Sequence, residues 1–180
     1  VAWTTPATWS TSELVTAAKM NAQVRDNLLF LYPARAVCTT AAAPSFANNT
    51  LTIVRYDTVV EDSDSAVTTG AAWKYTAPVA GLYAVTAAIL WETTTAWAGT
   101  SAETTEMQIY KNGAAYRALE FLTPISTGGS SGYVHLQGSA LVRLAASDTT
   151  DIRAVQRTGG ALTLIADAKF NYVDICRLSG

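Results

Sequence analysis

The sequence predicts an all-β protein: an antiparallel jelly-roll sandwich with one α-helix at its amino end. Three observations point there. About ten short runs of β-forming residues are separated by Gly, Asn, Pro and Ser turn signals. No strand–helix–strand alternation is present. Only residues 1–33 carry a helical periodicity. The 180 residues are 49% hydrophobic and 14% charged, a balance that suits many strands and small polar turns around one core.

In chain order, Trp3 and Trp9 stand in a Thr/Pro-rich lead-in, and Ser10 precedes Glu13 at the spacing of a helix capping box. A helix is predicted from there. Leu14, Ala17, Ala18, Asn21, Val24, Leu28 and Leu31 fall on one stripe, and Pro33 ends it. Such a helix either packs on its own domain or docks on something else. Ala36 to Thr40 and Leu51 to Asp57 read as strands, with a loop between them. Glu61-Asp-Ser-Asp-Ser65 is hydrophilic and lacks the Gly and distal Glu of an EF-hand, so it reads as a solvated loop rather than a metal site.

From Leu82 to Trp91 both alternating rows are apolar or small, the first Leu82, Ala84, Thr86, Ala88, Leu90 and the second Tyr83, Val85, Ala87, Ile89, Trp91. A strand with one wet face would alternate with polar residues. A long alanine-rich run also admits a helix, but Tyr83, Val85, Thr86, Ile89 and Trp91 are β-formers, so a strand is predicted, covered twice, by the sandwich core and by another chain or a packed loop. Lys111-Asn-Gly113 supplies the positive backbone angles of a tight hairpin between Glu106–Tyr110 and Ala115–Leu122. Val134 to Leu144 alternates as a long strand with a bend expected at Gly138, and Ile152–Arg157, Leu162–Ile165 and Phe170–Leu178 close the domain.

Charge and motifs exclude several functions. A formal charge of −2 gives no bulk attraction for a polyanion, so nucleic acid is not an expected partner. No run approaches the ~18 apolar residues of a membrane helix, and no membrane insertion is expected. The opening Val-Ala-Trp-Thr-Thr-Pro has neither basic cluster nor apolar core of a leader, although a leader removed beforehand would leave the same start. Without secretion, the sequon Asn48-Asn49-Thr50 carries no meaning. Gly128-Gly-Ser-Ser-Gly132 has the letters of a nucleophile elbow but not its strand–turn–helix setting. His135 is the sole histidine, alternating outward on a strand, and the pairs Glu103/Glu106 and Asp148/Asp151 lie around turns. No enzyme, no metal and no cofactor are expected. Cys38 and Cys176 are too few for a disulfide scaffold and read as buried thiols.

Two stretches resemble known families. Trp9 to Leu28, most specifically Met20-Asn21 with Arg25-Asp-Asn-Leu28, resembles the amino-terminal segment of tailed-bacteriophage minor tail or fibre-like virion proteins. Tyr56-Asp57, Tyr75-Thr-Ala-Pro-Val-Ala-Gly-Leu-Tyr83, Tyr110-Lys-Asn-Gly113 and Phe170-Asn-Tyr-Val-Asp-Ile175 resemble the globular domain of the C1q and tumour-necrosis-factor superfamily, without its collagen-like repeat.

The resemblance implies a docking segment, 1–33, and a C1q-like jelly roll, 34–180, assembled as a homotrimer. Docking onto other virion proteins is expected through Trp3, Trp9, Leu14, Asn21, Val24, Arg25, Asp26, Asn27 and Leu28. Tyr83, Val85, Ile89 and Trp91 are expected at the trimer interface, and Trp97 in the Thr93–Thr105 loop is a candidate contact for a host-surface glycan or protein. The resemblance also makes Cys38 and Cys176 neighbours in one sheet, where a disulfide is conceivable but assembly in a bacterial cytoplasm opposes it. The expected role is a phage structural protein: a fibre, spike or surface decoration of the virion. A free or secreted C1q-like lectin or adhesin is the alternative.

Overall fold

A computed structural model describes residues 4–25, 27–28, 33–40, 42–94, 103–123 and 132–179. The strands among them are β1 (Arg35–Thr39), β2 (Ser45–Phe46), β3 (Thr52–Ile53), β4 (Thr58–Asp62), β5 (Val67–Thr68), β6 (Lys74–Thr76), β7 (Gly81–Thr94), β8 (Thr104–Lys111), β9 (Ala114–Leu122), β10 (Gly132–Leu144), β11 (Thr149–Arg157), β12 (Leu162–Thr163) and β13 (Tyr172–Ser179). One sheet has the order β10-β7-β13-β1-β4. The other has the order β5-β6-β11-β8-β9, with β3 beside β11. All described pairings are antiparallel. The fold is therefore the predicted all-β jelly-roll sandwich.

The core fills the space between these sheets. β7 contributes Tyr83, Val85, Ala87, Ile89 and Trp91, all with 0% exposure, facing Met107 and Ile109 of β8 and Ile152 and Ala154 of β11. Trp91 is fixed twice: its ring meets Phe46 edge-on at 5.0 Å, and its Nε1 donates to Thr105 Oγ1 at 2.9 Å. The bond spares the buried indole N–H a desolvation cost of about 1–3 kcal/mol. Tyr83 finds its own, donating to the Val79 carbonyl at 2.7 Å.

The hairpin at Asn112-Gly113 forms as predicted, with φ of 50° and 76° at its two turn residues. Gly138 does not mark a bend, because the β10–β7 ladder runs unbroken from Val134↔Trp91 through Gly138↔Ala87 to Leu144↔Gly81. A Cβ there would lie 2.9 Å from the Leu119 side chain and carbonyl oxygen of β9. The glycine serves the close approach of the two sheet edges, where Glu120 also accepts from the Gln137 amide at 2.5 Å.

The acidic stretch is partly strand: Glu61 and Asp62 end β4, and the Asp62 carboxylate accepts the Ala66 and Val67 amides, both at 2.9 Å. The Leu51–Asp57 strand is reduced to Thr52–Ile53.

The amino-terminal helix begins later than predicted. Ser10 and Glu13 do bond, the Ser10 amide to Glu13 Oε2 at 3.1 Å and the Glu13 amide to the Ser10 carbonyl, but Ser12 sits at φ 70° and turns the chain instead of starting a helix. Glu13 also pairs with Lys19. The helix α1 (Ala17–Met20) is capped by Thr16, whose side chain accepts the Lys19 amide, and continues as a π-helical turn over Asn21–Arg25. Residues 4–10 fold back on it, because Asn27 Oδ1 accepts the Thr4 amide at 2.9 Å and Gln23 Oε1 accepts the Ala7 amide at 2.8 Å. None of the described helical residues 17–25 is buried.

Candidate functional site

Because β7 turns its Tyr83–Trp91 row inward, its second row faces out of the sandwich, and this corrects the expected trimer contacts. Tyr83, Val85, Ile89 and Trp91 have no surface left for a partner. Which of two apolar rows points inward depends on the strands that flank it, and β10 and β13 present Leu136, Ala140, Val142, Val173 and Ile175 on the Tyr83–Trp91 side.

The outward rows build a flat, charge-poor face. Leu141, Ala84 and Cys176 lie side by side across β10, β7 and β13, next to them Ser139, Thr86 and Asp174, then Gln137, Ala88 and Tyr172. Thr86 Oγ1 and Ser139 Oγ are 2.7 Å apart, and Gln137 Nε2 donates to the Tyr172 hydroxyl at 2.9 Å. On these three strands, the charged residues among the outward positions are Asp174 and, towards the two ends, Arg143 and Glu92. Half-buried Leu82, Ala84 and Thr86 remain open on this face, whereas Ala88 and Leu90 are already covered. Burial pushes the Asp174 carboxyl above its ordinary value, with Arg35 opposing the shift.

A pocket of about 550 Å³ opens beside Leu90, lined also by Tyr133, His135, Ile165, Asp167 and Phe170. Its position follows from one buried amide. Asn171 is fully buried: its Oδ1 accepts the Leu90 amide at 2.9 Å, and its Nδ2 donates to the carbonyls of Ile165 at 2.7 Å and Asp167 at 3.0 Å. Its own carbonyl accepts the Thr40 amide, and the Ile165 amide donates to the Leu90 carbonyl. The 164–171 segment is thereby held against the end of β7. Phe170 stands edge-on to His135, with ring centroids 6.2 Å apart at 79°. Neither this pocket nor His135 was singled out from sequence as a site. The one available sign was outward alternation of Tyr133 and His135 on a strand, an aromatic pair with no core to fill.

The other expected site residues scatter. Trp9, Leu14, Val24 and Leu28 are exposed, at 40%, 78%, 39% and 63%, while Asn27 is buried and spent on holding Thr4 and the Gln23 carbonyl. Asn21 and Arg25 lie on the π-helical turn. Trp3, Asp26, Trp97 and most of the Gly128–Gly132 stretch lie outside the described residues. The carboxylate pairs have structural partners: Asp151 binds Arg153 Nε at 2.7 Å, Asp148 binds Lys111 and Asn112, and Glu106 accepts from Gln108. Glu103 is buried. The two thiols are free and on opposite faces, Cys38 inward beside Val173 and Cys176 outward beside Arg35, so the register forbids a bridge between them. No group of three or more metal-binding side chains occurs among the described residues.

No protein-family model and no curated protein matches the chain. Solved structures do. Murine APRIL, in its pH 8.0 crystal structure, aligns at 11% identity with a TM-score of 0.56, over 81% of this chain and 99% of its own. The fold is that of the tumour-necrosis-factor-like jelly rolls. Eiger TNF from S. frugiperda agrees, at 13% identity and a TM-score of 0.57, over 82% of this chain and 93% of that one. At these identities the likeness is one of fold.

Proposed function

We propose that this chain is a self-associating recognition protein, a homotrimer closed through the outer face of the β10-β7-β13 sheet. The observation that carries the reading is the charge depletion of that face. An exposed sheet surface whose central rows are small or apolar, with Asp174 among them and Arg143 and Glu92 only towards the ends, resembles an interface core. The tumour-necrosis-factor-like fold supports it, and the trimeric state is what the family resemblance implies. Sedimentation or light scattering on the full chain tests it directly.

The finer reading is a structural component of a tailed-phage particle, assembled in the host cytoplasm. Residues 1–33 would dock on other virion proteins, and the jelly roll of residues 34–180 would project as a fibre, spike or decoration that meets a host surface glycan or protein. Two things support it: the resemblance of Trp9–Leu28 to phage virion proteins, and the exposure of Leu14, Val24 and Leu28 on a segment whose helical residues 17–25 are none of them buried. Exposed large apolar side chains on a segment attached to a folded domain are a docking feature. Labelling the chain within purified particles tests this assignment, with Trp97 kept as the candidate host contact.

A further inference from the structure

We propose that the pocket bounded by β7, β10 and the 164–171 segment binds an organic cation of the alkylammonium class, with Asp167 as counter-charge and Tyr133 and Phe170 as aromatic walls. The inference does not depend on the particle assignment. It rests on the chemistry of the lining. Leu90 and Ile165 offer apolar surface, Tyr133, His135 and Phe170 offer rings, and the one formal charge among the six residues is the Asp167 carboxylate. Neither lysine nor arginine lines it. A cation with apolar substituents satisfies all of these surfaces at once, since ring faces carry negative potential and attract it. An anion would meet the carboxylate and be repelled.

The groups are also uncommitted. Asp167 Oδ1 accepts the Lys169 amide at 2.9 Å, and among the described residues the carboxylate has no ion-pair partner. Tyr133 is 66% exposed, at the register shift just before the β10–β7 ladder resumes at Val134, and Phe170 is 42% exposed, next to the buried Asn171. The edge-on contact of His135 with Phe170 fixes the corner between them. The backbone on the Leu90 and 164–171 side is fixed by the Asn171 hydrogen bonds, so that part of the site is formed before a ligand arrives. The volume of about 550 Å³ suits a small molecule or one residue of a larger one.

The test is calorimetric titration of the full chain with choline chloride and with 3,3-dimethylbutan-1-ol, its neutral isostere, alongside glucosamine and N-acetylglucosamine. Choline is expected to bind saturably, and the isostere about tenfold or more weakly. Asp167→Asn retains the acceptor for the Lys169 amide, and Phe170→Leu retains apolar bulk. Each should weaken choline about tenfold with the melting temperature unchanged. Preference for glucosamine over its N-acetyl form would place the cation on a sugar, and binding of choline alone would place it on a small amine. Equal binding of choline and the isostere, tighter binding of N-acetylglucosamine than of either cation, or no cation binding at millimolar concentration overturns the proposal. So does a change in oligomeric mass without a change in choline affinity on Asp167→Asn, which would make the pocket a seat for a neighbouring subunit.

Discussion

The Gln137 side-chain amide donates to the Tyr172 hydroxyl at 2.9 Å, spanning the Ala88 position that separates their strands. The bond roofs Ala88, which is why a small residue on an outward row has 0% exposure in the single chain. It also ties β10 to β13 over the top of β7, so the outer face is ordered across three strands before any partner meets it. Tyr172→Phe removes the bond and keeps the ring. It should cost about 0.5–1.5 kcal/mol in urea unfolding, and an unchanged midpoint would mean that the roof contributes nothing.

A second clasp joins two turns at the opposite end. Asn112 Nδ2 donates to Asp148 Oδ1 at 2.8 Å, Lys111 Nζ approaches Asp148 Oδ2 at 2.9 Å, and the Ala145 amide donates to the same oxygen at 2.8 Å. These donors, Asn112 and Lys111 first, hold the Asp148 carboxyl down at about 2. A depressed folded-state value means stability that is fully present above the unfolded value of about 4 and lost as the pH falls toward 2. The advantage of the wild type over Asp148→Asn should therefore be constant near neutrality and shrink through that acid window. A difference independent of pH would show that charge plays no part.

How much of this was legible in the sequence depends on how local each determinant is. Asn112-Gly113 was readable because a type I′ turn needs positive φ at two adjacent positions, and those residues supply it unaided. The existence of β7 was readable from ten consecutive apolar or small residues, but not the direction in which its rows face. Periodicity is symmetric between two apolar rows, and the choice rests on neighbours distant in sequence, so Tyr83 and Trp91 were assigned to the wrong side. Ser10 and Glu13 show a subtler failure: the side-chain pair formed, yet the same bonds serve a turn as well as a helix cap. The pocket was illegible because Asn171, some eighty positions from Leu90, creates it.

The thiols offer a chemical test of the face. Burial, then the charges of Asp62 and Asp174, push Cys38 up to about 11, and its side chain points into the core. Cys176 lies beside Ala84 on the outer face. With a thiol reagent at mildly alkaline pH, the assembled protein should show neither thiol reacting rapidly, Ala84→Arg one, and the urea-unfolded chain both. Rapid reaction of Cys176 in the wild type would leave the face uncovered.

Deleting residues 1–33 should leave a chain that melts cooperatively at an unchanged temperature and, under the proposed particle role, is no longer incorporated into particles. Leu14 at 78% exposure and Leu28 at 63% contribute little to the core, whereas Ala34 is buried and its carbonyl accepts the Arg177 amide at 2.9 Å. Loss of the cooperative transition would mean that the segment completes the jelly roll.

The measurement that bears most directly on the whole account is the solution mass of the full chain and of Ala84→Arg by light scattering at micromolar concentration. Ala84 sits between Leu141 and Cys176 at the centre of the charge-poor rows, where an arginine would bring an unpaired charge into any interface without touching the core. The account predicts about three times the 19.0 kDa chain mass for the wild type, and 19.0 kDa with an unchanged fold for the variant. A wild-type mass of 19.0 kDa, or a variant that still assembles, contradicts it.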